Sequence, residues 1–296
     1  MPDSRLPGVL LLTGASGLLG SAVLARVLAA GMPVRCLVRD PRRLGPDRVR
    51  VQLAIGDLAD PASYRNALRG VDTVVHLAGT ARDQPRAAIE EVDGLATWRL
   101  ARAAERAGVR RLLWTVPLGA SAHHPSRVHR AKALAAAALA GGDLEVTTLA
   151  CSLAYAPGDR RISRIERLAL LPAVPLAGRG GARVQPIWAG DVAACALAAL
   201  ERPPGRFELA GPETLTERDV VRRVLAARGR RRRLVPVPLA LLRPLLRANA
   251  AIAGPAALIT WEEVVQLAVA MTTASGTADA ESLGVRPRRM ADVLAG

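Results

Sequence analysis

Apolar residues in the first half of the chain follow two alternating rhythms. Short, nearly continuous apolar runs fall at 9–13, 34–38, 51–55, 73–76, 111–116 and 146–149. Runs of this length and density predict strands buried on both faces, as in a parallel sheet. Between them, 18–30, 61–68, 86–107 and 126–140 space their apolar residues three and four apart, which predicts amphipathic helices. Gly31, Gly70 and Gly108 stand where the C-terminal caps of three of these helices belong. Strict alternation of strand and helix implies right-handed crossovers and an α/β, Rossmann-type doubly wound parallel sheet. The rhythm loosens after residue 157, where Pro172, Pro175, Gly178, Gly180, Gly181 and Pro186 divide the chain into shorter elements. The expected organisation is a doubly wound domain over 1–157 and a smaller C-terminal α+β lobe over 158–296 packed on it.

The first run leads directly into Thr13-Gly14-Ala15-Ser16-Gly17-Leu18-Leu19-Gly20, which opens the first predicted helix. In such a loop the first glycine permits a tight turn, the second lets backbone approach a pyrophosphate, and the third allows close helix–strand packing. The helix start adds free N–H donors and the positive end of a dipole. A glycine triplet also occurs as a plain structural turn. Its place here, after the first strand of a βαβ unit, is the context that dinucleotide binding requires. The type of dinucleotide is set at the end of the second run, Leu37-Val38-Arg39-Asp40-Pro41-Arg42-Arg43. Guanidinium forks from Arg39, Arg42 and Arg43 suit a ribose 2′-phosphate and favour NADP(H) over NAD(H). Asp40 is the opposing sign, since an acid there would take a 2′-hydroxyl; the proline that follows marks it instead as the start of a turn.

On TGASGLLG (13–20), LVRDP (37–41), GDLAD (56–60), VVHLAG (74–79), Lys132 on the helix after the fifth strand, RVQPIWAGDVAACALAAL (183–200) and FELAGPETLT (207–216), the chain resembles the extended and atypical short-chain dehydrogenase/reductases over nearly its whole length. LVRDP combined with PIWAGDVA and ELAGPE is most similar to the NmrA-like branch, which includes the cofactor-holding accessory subunit of respiratory complex I and bacterial relatives. The resemblance implies that Asp57 and Leu58 lie by the adenine, that Leu77, Ala78 and Gly79 run beneath the cofactor, and that Lys132 holds the nicotinamide ribose. Active members also carry a tyrosine four residues before the lysine, as proton donor, and a serine at the end of the fifth strand. Here Val128 occupies the tyrosine position, and Val116 and Pro117 stand where the serine belongs. Two missing groups predict a catalytically degenerate, cofactor-holding or sensing protein, alone or in a larger assembly. The alternative is an active NADPH-dependent oxidoreductase on a small carbonyl or quinone-type substrate, with His123, His124 or the substrate itself supplying the proton. His129 lies about 100° from the cofactor face of its helix, strand alternation turns Thr115 away from the serine position, and Cys151 and His76 read as core.

Composition changes the picture in three ways. The formal charge of +15 raises nucleic acid as a partner. Yet one basic residue alone among 41 is lysine and aromatics are 2%, which reads as arginine-rich codon usage on a solvated surface with little for bases to stack on. In such a chain Lys132 marks a position that arginine does not fill, fitting a compact ammonium on ribose hydroxyls. Second, Cys36, Cys151 and Cys195 are an odd set with no CxxC spacing, which argues against a disulfide framework and a zinc site and for a reducing cytoplasm. Third, no run is long enough to span a membrane and no secretory signal is visible. Arginines 230–233 and the apolar stretch 239–259, charged only at Arg243 and Arg247, raise peripheral contact with anionic lipid. Pro244, Gly254 and Pro255 interrupt that stretch and favour a packed pair of lobe helices over an anchor. Asp191 is expected to cap the helix that it opens.

Overall fold

The structure, a computed structural model, describes residues 8–84, 87–254 and 257–295. The six predicted runs form β1 (Val9–Thr13), β2 (Val34–Val38), β3 (Gln52–Ile55), β4 (Val71–His76), β5 (Arg111–Pro117) and β6 (Glu145–Cys151). Between them lie α1 (Leu18–Ala29), α2 (Pro61–Tyr64), α3 (Ala96–Arg106) and α4 (Arg127–Leu139). The second and third predicted helices depart from plain α-helices, the second being α-helical over Pro61–Tyr64 and 3₁₀ over Arg65–Leu68. A π-helical turn, Glu90–Leu95, precedes α3, and Arg86, where the helix was expected to begin, lies outside the described residues.

After β6 come β7 (Ala154–Tyr155), α5 (Arg160–Leu168), β8 (Ala173–Ala177), β9 (Arg183–Val184), β10 (Ile187–Trp188), α6 (Ala189–Leu200) and β11 (Arg206–Leu209). The chain continues through β12 (Leu215–Thr216), α7 (Glu217–Ala227), β13 (Arg233–Val237), α8 (Leu239–Ala253) and α9 (Trp261–Leu267), with short helices at Ala278–Ser282 and Met290–Ala295. The central sheet has seven strands in the order β11-β6-β5-β4-β1-β2-β3, every neighbouring pair parallel. Two elements beyond residue 157 thus return to the central layers. β11 extends the sheet past β6, and α6 lies against α1, where the Arg26 side chain donates to the Gly190 carbonyl at 3.1 Å.

Burial on both faces explains the near-continuous apolar strands at the centre of the sheet; it does not hold for β3, an edge strand whose Leu53 and Ile55 are 43% and 68% exposed. Leu10, Leu12, Val75 and Leu113 point to one side, against Val23, Leu24 and Val27 of α1 and Val192, Cys195 and Ala196 of α6. Leu11, Val74, Leu112 and Trp114 point to the other, against Leu100 and Ala104 of α3 and Ala135 and Leu139 of α4. That second cluster runs on into Ile162, Ile165, Val220, Val221 and Val224, so the C-terminal lobe shares a core with the sheet.

Two local expectations are corrected. Asp191 lies within the first turn of α6, not at its cap, which is Trp188. Its carboxylate is buried and accepts from the Arg288 backbone N–H at 2.8 Å, tying down the C-terminal segment. Pro244 does not interrupt α8, because its exposed ring removes only one helical hydrogen bond. Gly254, at φ 51°, does end that helix; Pro255 lies outside the described residues.

Candidate cofactor site

Strand order reverses between β1 and β4, and in a doubly wound sheet the crevice opens beyond the C-terminal ends of the strands at that switch. The Leu77 N–H donates to the Thr13 carbonyl at 3.2 Å and joins the two loops there. The three glycines of residues 14–20 separate into two kinds. Gly14 has φ +74°, and a Cβ on it would lie 2.5 Å from the Ala78 nitrogen. A Cβ on Gly20 would lie 2.0 Å from the Gly14 carbonyl oxygen. Both are required by the loop's own packing. Gly17 is not: its backbone is ordinary extended chain, φ −87°, and a Cβ would touch only the Gly14 carbonyl oxygen, at 3.2 Å.

Gly17 is also the N-cap of α1, with no side-chain cap and no acid in the first turn. The N–H groups of Leu18, Leu19 and Gly20 have no partner among the described residues. A glycine open on its outer side, three orphan donors and the positive end of a helix dipole fit a dinucleotide pyrophosphate. Ala15 is buried behind the loop and Ser16 is exposed.

At the C-terminal end of the neighbouring β2, the Arg39, Arg42 and Arg43 side chains are exposed. Their guanidinium groups have no partner among the described residues. Asp40 is engaged as the cap of the turn at Pro41–Val49, accepting from the Arg42 N–H at 3.0 Å. One strand further, beyond β3, the exposed Asp57 carboxylate accepts from the Ala59 N–H at 3.0 Å. The adjacent Leu58 packs on the core edge.

Lys132 reaches the β4 side of the crevice from α4. Its ammonium is 3.5 Å from the Ala78 carbonyl oxygen and 5.3 Å from the centroid of the Trp114 ring. It also meets a group that the sequence reading missed: the Asp93 Oδ1, at 3.3 Å. Asp93, in the π-helical turn, is 1% exposed, and its other oxygen accepts from the Thr80 N–H at 3.0 Å. Burial raises the Asp93 carboxyl above the ordinary aspartate range, with the Lys132 charge opposing it. Gly79 makes room for this pair, since a Cβ there would fall 2.7 Å from Asp93 Oδ1. A sequence signal existed: Asp93 lies on the same helical stripe as the buried Ile89, Ala96, Leu100 and Ala104.

Val116 lies two residues beyond Trp114, on the same side of β5, and is buried in the core beneath α4. Val128 is half-buried at the start of that helix, and Pro117 is half-buried at the end of β5. His123 is exposed. His124 accepts from the Ser126 N–H through Nδ1 and stacks on His129 with ring centroids 3.8 Å apart. His129 is 1% exposed, and burial lowers it to about 4, with the Leu118 backbone opposing the fall. His76 is held inside β4 between the hydroxyls of Thr13, at 2.7 Å, and Thr97, at 3.0 Å. Burial raises the Cys151 thiol to about 12, keeping it protonated.

A family model described as NAD(P)H-binding matches residues 14–164, from the glycine loop into α5. The chain is 31% identical to (4-alkanoyl-5-oxo-2,5-dihydrofuran-3-yl)methyl phosphate reductase of Streptomyces griseus, over 75% of this chain and 74% of that protein. It is 28% identical to the mitochondrial NADH dehydrogenase [ubiquinone] 1 alpha subcomplex subunit 9 of Arabidopsis thaliana, over 70% of this chain and 54% of that one. Sterol demethylase protein B of Methylococcus capsulatus is 38% identical, but the match covers 39% of this chain and 36% of that protein. Among solved structures, a nucleoside-diphosphate-sugar epimerase of Staphylococcus aureus superposes with a TM-score of 0.77 at 18% identity, over 97% of this chain and 99% of that one, a likeness of fold. The chain therefore belongs to the NAD(P)H-binding family of short-chain dehydrogenase/reductase-like proteins.

Proposed function

We propose that this protein holds NADP(H) as a catalytically degenerate member of its family, serving as a sensor or as the nucleotide-carrying part of a larger assembly. The observation that carries this reading is that Val128 and Val116 fill the tyrosine and serine positions around Lys132, while the acid that does stand beside it, Asp93, is 1% exposed and paired with it. The nicotinamide supplies hydride chemistry when bound; the residues around it must supply a proton. Val128 and Val116 have none to give. The chain's two tyrosines, Tyr64 and Tyr155, are both fully buried in the core. His129 is turned inward, and burial raises the Cys151 thiol to about 12, which makes it a weak proton donor. What remains is holding machinery: the glycine loop for the pyrophosphate, Leu77, Ala78 and Gly79 under the cofactor, Asp57 and Leu58 toward the adenine, and Lys132 toward the ribose. The preference for NADP(H) rests on three unpaired guanidinium groups beyond β2 and on the engagement of Asp40 as a cap. Likeness to a respiratory-chain subunit supports a place in an assembly and in the NmrA-like branch.

The second reading, a reductase of a small carbonyl or quinone-type substrate, is favoured by the (4-alkanoyl-5-oxo-2,5-dihydrofuran-3-yl)methyl phosphate reductase aligned over three quarters of the chain. An acceptor that takes its proton from water needs no protein acid.

Nucleotide titration and turnover separate the two. Holding predicts NADPH binding with negligible NADPH oxidation by aldehydes, ketones or quinones. Val128→Tyr together with Val116→Ser should then raise any such activity, since a positioned acid contributes about 10²–10⁴-fold. Brisk turnover by the unmodified chain, lost in His123→Ala or His124→Ala, would overturn the holding reading.

A further inference from the structure

Helix α8 lies in the C-terminal lobe and contributes a single fully buried side chain, Leu246, to the core. Its opposite face is apolar and open. Leu241 is 64% exposed, Leu245 64% and Ile252 89%. At 100° per residue these three positions fall within about 40° of one another, with the exposed Ala248 among them. A soluble surface helix normally turns such a stripe inward. Here the inward stripe is a different one, through Leu239, Leu242 and Leu246, so α8 has two apolar faces and one of them has no cover among the described residues.

The charge around the stripe identifies what covers it. From residue 220 to residue 260 the chain has nine arginines and neither aspartate nor glutamate. Three of the nine pair with acids outside the segment: Arg222 with Asp219, Arg223 with Glu213 and Arg228 with Glu166. The other six, at 230–233 just before and within β13 and at Arg243 and Arg247 on α8, have no carboxylate partner among the described residues. Arg243 lies over the Trp261 ring at 5.6 Å, and the Arg230 and Arg232 side chains reach the Ala169 carbonyl. A second copy of the chain would bring two such acid-free segments together, at a cost in like-charge repulsion. An anionic bilayer surface complements both features: acyl chains take the leucines and isoleucine, while the guanidinium groups, which on α8 stand about 140–180° around the helix from that stripe, draw the lipid charge from its polar side.

We propose that α8 and the arginine-rich segment leading into it dock this protein on a membrane surface containing anionic phospholipid, with the stripe of Leu241, Leu245 and Ile252 entering the headgroup–acyl boundary. The helix spans about 22 Å at 1.5 Å per residue and would lie in the surface plane rather than cross it. The inference is independent of the holding role proposed above, since α8 contributes none of the candidate cofactor residues.

The test is co-sedimentation of the full chain with vesicles of pure phosphatidylglycerol against vesicles of pure phosphatidylcholine, at low and high salt. The expected result is partition to phosphatidylglycerol alone, weakened by salt, with up to about fivefold lost per arginine removed in Arg243→Gln or Arg247→Gln, which stand on the polar side of α8. A chain of +15 would also adsorb through charge alone, so the deciding variant keeps the charge. Leu241→Ser/Leu245→Ser/Ile252→Ser should lose about tenfold or more in partition while its melting temperature and NADPH affinity stay at the parent's, because all three side chains are exposed. Equal partition of parent and triple variant would overturn the proposal. So would a parent that ignores vesicles but self-associates in solution, dissociated by the same three substitutions.

Discussion

Gly17 offers a way to separate the cofactor's demand on the glycine loop from the protein's own. Alanine at 17 needs no unusual backbone, since φ −87° and ψ 174° lie in the region open to any residue. Its Cβ would meet one atom, the Gly14 carbonyl oxygen, at 3.2 Å, which a shift of a few tenths of an ångström relieves. The apo protein should therefore change by less than about 1 kcal/mol, and the lower entropy of the unfolded chain acts in its favour. Gly20→Ala is the contrast. Its Cβ would sit 2.0 Å from the same oxygen and 2.9 Å from the Ala15 Cα. The helix must then move off the strand, at a cost of about 1–3 kcal/mol or more. For binding, the order of damage reverses in kind. A methyl group at 17 stands where a phosphate must approach the N–H groups of Leu18 and Leu19. Losing one charge-assisted bond costs about 1.5–3 kcal/mol, a factor of ten to more than a hundred in affinity. Two measurements suffice: NADPH titration by fluorescence, and melting with and without nucleotide. At about a hundred times Kd the parent should gain about 2.7 kcal/mol from the ligand. Gly17→Ala should melt like the apo parent without nucleotide and, at the same NADPH concentration, gain only about 0.3–1.4 kcal/mol. A Gly17→Ala protein that binds NADPH with the parent's Kd would show that no phosphate approaches this loop.

Three further outcomes are expected. Arg39→Ala should weaken NADPH at least tenfold and leave NADH nearly unchanged in the same titration, because only the former carries a 2′-phosphate; equal losses for both nucleotides would refute that contact. His129 titrates near 6.5 when unfolded and at about 4 when buried, so its contribution is intact above about pH 6.5 and is lost as pH falls from there through about 4, by as much as about 3 kcal/mol. Urea unfolding at pH 7 and pH 5 should show His129→Phe with a shallower acid loss than the parent, and identical losses would refute it. Lys132→Met and Asp93→Asn should each destabilise by about 3–5 kcal/mol while the double variant comes back close to the parent, since a lone buried charge costs more than a pair; additive losses in the same unfolding assay would show that the two groups do not depend on each other.

The fold was legible because its signals are redundant. Six strands followed from dense apolar runs, five of them buried on both faces and β3 an exposed edge, and four helical segments from three–four spacing between them. What was less legible came from elements whose local sequence says little about their partner. Arg206–Leu209 is only four residues long, and its pairing with β6 depends on α6 returning to pack on α1. Nothing within those four residues specifies such a long-range contact. Pro244 shows the converse error, in which a local breaker signal was outweighed. A proline on the exposed side of a helix removes one hydrogen bond, and the packing of Leu246 holds the helix on either side.

The site was legible where a residue's type was unusual and illegible where its role depended on a partner. Lys132 stood out as a lone lysine, and the sequence reading turned it toward ribose hydroxyls. The structure adds a second reason for its identity. Between the Trp114 ring, the Ala78 carbonyl and Asp93 it has 5% exposure, a space that suits a compact ammonium and not a planar fork with five donors. The ion pair alone therefore accounts for lysine in place of arginine, and a ribose contact must be argued on other grounds. Those grounds are geometric. The pair sits directly at Gly79, where a side chain is excluded by Asp93 itself, and Gly79 ends the loop that the switch point places at the crevice. A buried acid would otherwise be a liability beside a polyanionic nucleotide. Paired with Lys132 and with the Thr80 N–H, it leaves that corner of the crevice close to neutral. The positive potential is then left to the first turn of α1 and to Arg39, Arg42 and Arg43, at the end of the crevice where the phosphates of NADP(H) would lie.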